Sequence, residues 1–105
     1  MKILALEREL PNATSEGFLC YAKDEARRTW ELHQTGLIRE LYFRTDRQTA
    51  VLVLECASTD DAQNMLAKLP YVREGLIAFD LIPLKAYSGF GRLFNDGEVS
   101  GEGND

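Results

Sequence analysis

Between Leu37 and Cys56 the sequence holds two runs rich in aliphatic and aromatic residues, Leu37–Arg44 and Thr49–Cys56, split by the polar stretch Thr45-Asp46-Arg47-Gln48. A polar connection that short joins antiparallel strands as a hairpin. A central hairpin constrains the fold strongly, because the segments on either side must cover or extend its sheet. Upstream, Lys2–Glu7 reads as a first strand that Pro11 and Asn12 interrupt, and Ser15–Thr35 places Leu19, Ala22, Ala26, Trp30 and His33 on one helical face, with Gly36 as the left-handed stop. Downstream, Ser58 and Asp61 form an acidic capping box for a second helix carrying Ala62, Met65, Leu66 and Leu69, which Pro70 is expected to end. Leu76–Leu84 supplies a fourth strand, with Pro83 near its end.

The order is therefore βαββαβ. Right-handed crossovers turn it into a ferredoxin-like α+β fold, a four-stranded antiparallel sheet with both helices on one face. One domain spans residues 1–94, including an arm at 85–94 that carries Tyr87, Phe90, Leu93 and Phe94; residues 95–105 read as a disordered acidic and Gly-rich tail.

Composition excludes several classes of function. A net charge of -5 and a pI near 4.9 oppose nucleic acid and anionic membrane surfaces as partners, since phosphate binding needs a cationic field. The third strand also lacks an aromatic stacking platform for RNA. No apolar run approaches the ~20 residues needed to span a bilayer, which points to a soluble, cytoplasmic chain. Cys20 and Cys56 are far apart and, with a single histidine, make no metal-ligand pattern, so neither metal nor other cofactor is expected. Haem chemistry is disfavoured because His33 is the sole candidate axial ligand.

Alternation along the hairpin separates two faces if Arg44 lies opposite Thr49. Leu37, Leu41, Phe43, Ala50, Leu52, Leu54 and Cys56, interrupted by Arg39, are assigned to the helices. Ile38, Glu40, Tyr42, Arg44, Val51, Val53 and Glu55 fall on the opposite face, where apolar walls and ionisable groups suit a lined pocket. Glu40 and Glu55 become candidate acids or bases if burial raises their pKa values, and Tyr42 a candidate ligand-orienting group. Each also has a plain structural reading, as a solvated or ion-paired strand residue. His33, in the last turn of the first helix, is equally suited to interacting with the helix dipole.

Asp24-Glu25 ahead of Gly36, the run Leu37-Ile38-Arg39-Glu40-Leu41-Tyr42, and a second helix closing on Leu69-Pro70 before a strand together resemble the muconolactone isomerase family of the dimeric α/β-barrel superfamily. The resemblance implies a homodimer, or a higher oligomer, in which two sheets close face to face. It implies a small-molecule ligand, with proton-transfer chemistry on a small unsaturated lactone or acid, or cofactor-independent oxygenase chemistry. Glu25, Arg39 and Glu40 are the candidates it adds or reinforces. The alternative is a non-catalytic ligand-sensing or stress-related module on the same fold. An enzyme should place a desolvated carboxylate or His33 in a concave pocket, whereas a sensor can make do with an apolar one.

Overall fold

The computed structural model describes residues 1–94, and the expected tail at 95–105 lies outside the described residues. Strand β1 (Lys2–Glu9) leads into helix α1 (Ser15–Gln34), then β2 (Ile38–Phe43), β3 (Ala50–Glu55), α2 (Thr59–Leu66), α3 (Pro70–Arg73) and β4 (Ile77–Leu84). The strands form one antiparallel sheet in the order β2-β3-β1-β4. No helix among the described residues is long and apolar enough to cross a membrane.

Local chemistry accounts for most boundaries. The Thr14 hydroxyl accepts from the Gly17 N–H at 3.0 Å and caps α1, and Ser58 Oγ accepts from the Asp61 N–H at 3.0 Å and caps α2. Gly36 takes φ 88° just past α1, a conformation that a side chain disfavours. Pro70 does not act as a simple stop. It opens α3 at a position where its missing N–H costs nothing, and Leu69 in the extended conformation separates it from α2.

The hairpin register is as expected from Phe43↔Ala50 to Glu40↔Val53, but a β-bulge at Arg39 lets Ile38 pair with Leu54. The extra residue moves Ile38 to the helix side, where it is fully buried, and corrects its assignment to the open face. The core under the helices is built from Ile3, Ala5, Ile38, Leu52, Leu54, Leu66 and Leu69, each large aliphatic side chain worth roughly 1.5–3 kcal/mol on burial. The opposite face carries Leu4, Leu6, Val51, Val53 and Ala78, half-buried, with Ile82 and Leu84 exposed at about 40%. No helix covers it.

After β4 a 3₁₀ turn at Gly89–Leu93 ends the described chain, and the Tyr87 and Phe90 rings meet edge to face at 4.9 Å. Phe90, Leu93 and Phe94 stay largely exposed.

Candidate functional site between helix α1 and the sheet

Helix α1 is pinned to the body near its two ends. Phe18 meets the Tyr71 ring edge to face at 5.0 Å near the start, and Leu32 enters the core near the end. The face between them carries Ala22, Glu25, Ala26 and Thr29, too small or too polar to fill the space above the sheet. A cavity of about 560 Å³ results. Its floor is the helix side of the sheet, including Leu52 and Phe79, and exposed Trp30 and Phe43 flank its opening.

Two carboxylates reach this largely apolar space. Glu25 comes from α1 and accepts a hydrogen bond from the Tyr71 N–H at 2.9 Å. Glu7 comes from β1, shares the parity of Ile3 and Ala5, and accepts from the Ala50 N–H at 2.8 Å. Both are half-buried. Burial is the main force pushing the Glu25 carboxyl above the usual carboxylate range; the Tyr71 N–H opposes it and the negative charge of Glu7 adds to it. Burial likewise pushes Glu7 up against the Ala50 N–H. Tyr71 is also raised, by burial and then by Glu25 and Glu7, while its hydroxyl donates to the Phe18 carbonyl at 3.0 Å.

His33 lines the same cavity, and its Nδ1 lies 2.8 Å from the Ile38 carbonyl oxygen. A carbonyl only accepts, so Nδ1 is the donor in this contact and Nε2 is the ring nitrogen left for a ligand. Half-buried carboxylates able to hold or release a proton, lining one cavity with an imidazole whose Nδ1 is tied to a backbone carbonyl, form a constellation able to move protons on a bound organic molecule.

The other expected residues lie elsewhere. Tyr42 contributes to the cavity lining, but its hydroxyl donates to Glu40 Oε1 at 2.7 Å, and that hydrogen bond raises its pKa. Glu55 accepts from the Met1 amine at 2.8 Å, which holds its carboxyl below the usual range. Arg39 Nε donates to the Gly36 carbonyl at 2.7 Å; Arg39 and Glu55 border a separate shallow groove beside Cys56. Val53 faces the uncovered side, whereas Ile38 is core. Glu25 and His33 thus come together with Glu7, while Glu40 and Glu55 do not join them. Among the described residues, no group of three His, Cys, Asp or Glu side chains is placed to hold a metal ion.

No protein-family model and no curated protein sequence matches the chain. Solved structures do match it in three dimensions. Muconolactone isomerase superposes with a TM-score of 0.69 at 17% identity, over 84% of this chain and 92% of its own. The chain has the muconolactone isomerase fold. The same fold is found in a 5-chloro-2-hydroxyhydroquinone dehydrochlorinase from Burkholderia phenoliruptrix, solved in complex with 2,5-dihydroxybenzoquinone. That match has a TM-score of 0.57 at 17% identity and covers 85% of this chain and 98% of the dehydrochlorinase.

Proposed function

We propose that the chain is a proton-transfer enzyme of dimeric α/β-barrel type, acting on a small unsaturated organic molecule held between α1 and the sheet. The observation that carries this reading is the pair Glu7 and Glu25, half-buried in one apolar cavity with both carboxyls raised. A carboxylate in such a place is a stronger base than one in water, and its protonated form persists closer to neutrality. A cavity serving only to sense an apolar ligand has no need of either group. Its desolvated carboxylates therefore favour the catalytic reading over the sensing one.

The chemistry is a proton shift. An ionised carboxylate removes a proton from a carbon activated by a neighbouring carbonyl, and the C–H electron pair passes into a dienolate. A protonated carboxyl then returns a proton to a second carbon, so the double bond migrates without any change of oxidation state. Glu25 is the assigned base, with Glu7 and His33 placed to relay or return the proton. The names of the two structural neighbours, one an isomerase of a lactone and the other acting on a hydroxylated ring, agree with a small cyclic substrate.

Pairing with a second copy belongs to the same reading. The uncovered face around Leu4, Val53 and Ile82 is an apolar surface that a monomer would leave in water, and sheet-to-sheet closure would bury it.

α-Angelica lactone is a suitable probe, since its conversion to β-angelica lactone is a proton shift of this kind. The protein should accelerate it in D₂O with deuterium entering the product, and Glu25→Gln should lower the rate by about 10²–10⁴-fold. A rate equal to buffer, or one unaffected by Glu25→Gln, would remove the assignment.

A further inference from the structure

The cavity has an unusual charge inventory. It contains two carboxylates and, among the described residues, no Lys or Arg lines it. Arg73 is the cation whose charge acts on Glu25, but it lies outside the lining, with Nε on Glu74 Oε2 at 3.0 Å and its guanidinium over the Tyr21 ring. In each carboxylate Oε1 accepts a backbone N–H, from Ala50 or Tyr71, and Oε2 has no hydrogen-bond partner among the described residues. Both carboxylates therefore keep one oxygen for a ligand, within walls that include Trp30, Phe43, Tyr71 and Phe79.

We infer that this cavity takes an uncharged planar ring bearing hydroxyl or carbonyl oxygens and rejects the same ring carrying a carboxylate. The inference rests on the cavity being the reaction site and adds the substrate class. A ligand carboxylate would be desolvated beside two like groups with no Lys or Arg in the lining to answer it. A hydroxyl instead donates to a free Oε2, and a carbonyl accepts from a protonated one, while the ring stacks on aromatic walls. A ligand cation would have to shed its water in this largely apolar space to reach carboxyls that burial biases toward the protonated form. The raised carboxyls of Glu7 and Glu25 support the neutral ligand, because burial already favours a proton as their counter-charge.

The test is calorimetric titration of the full chain at neutral pH with three probes that share one ring system: 2-naphthol, 3-hydroxy-2-naphthoate and 2-naphthylmethylammonium. 2-Naphthol should bind at least about tenfold tighter than either charged probe. In Glu7→Gln/Glu25→Gln, with the fold checked by circular dichroism, the gap between naphthol and naphthoate should close to about threefold or less. The two single variants, each expected to narrow the gap, serve if the double variant does not fold. Naphthoate binding as tightly as naphthol, the ammonium binding tightest, or a gap unchanged in the variants would overturn the inference and leave the cavity standing as the site. Failure of all three rings to bind at millimolar concentration would overturn the cavity reading itself.

Discussion

Glu25 sits mid-helix, where a glutamate would ordinarily be solvated, yet its carboxylate accepts from the Tyr71 N–H within a largely apolar cavity. Its raised pKa has a consequence for stability. The native state holds the proton more tightly than the unfolded chain, so the contribution of Glu25 is fullest at low pH and declines as pH rises through the usual carboxylate range and up to the raised value. Glu7 has the same sign. Urea denaturation across mildly acidic to neutral pH should therefore show Glu25→Gln and Glu7→Gln gaining stability relative to the parent as pH increases. A parallel pH profile would mean the carboxyls are not raised. Glu25 was legible in the sequence only through the family resemblance. Glu7 was not singled out, although its alternation with Ile3 and Ala5 puts it on the helix side, because nothing in the sequence of β1 marks which strand carboxylate a helix will cover.

At the scale of elements, helix α1 makes the cavity through what it lacks. Phe18 and Leu32 anchor it, and Ala22 and Ala26 between them hold it over the sheet without filling the gap. Ala26→Leu should leave stability nearly unchanged, since Leu is almost as good a helix former as Ala, while weakening 2-naphthol binding by at least about tenfold. Unchanged affinity would show that ligands bind elsewhere. Removing the α2 cap with Ser58→Ala should cost about 1 kcal/mol in denaturant unfolding and leave ligand affinity unchanged, because the cap lies outside the cavity. The helical stripe Ala22, Ala26, Trp30 and His33 was visible from spacing alone, but spacing does not say whether a stripe fills a core or borders a void. Strand alternation failed at Arg39, where the bulge adds a residue that no hydrophobic pattern announces, and Ile38 just before it changed sides.

For the whole molecule, the order of strands and helices followed from turns, caps and periodicity, and the structure has the ferredoxin-like sheet they imply. The site was harder to locate. An uncovered sheet face with mixed side chains and a cavity under a helix are both plausible ligand sites, and only the packing of α1 separates them. The two faces differ in the structure: among the described residues no helix covers the open face, and the helix side encloses the carboxylates. Val53→Glu, which places a charge in the middle of the open face, should shift sedimentation from dimer to monomer at micromolar concentration; a wild-type monomer, or a variant that stays dimeric, would exclude sheet-to-sheet pairing. The most direct test of the central claim is a ¹³C NMR titration of the glutamate carboxyls with 2-naphthol. The account predicts that Glu7 and Glu25 titrate above the usual carboxylate range and that their resonances move on ligand addition while those of Glu40 and Glu55 do not. Movement of Glu40 or Glu55, with Glu7 and Glu25 silent, would place the site on the open face and contradict it.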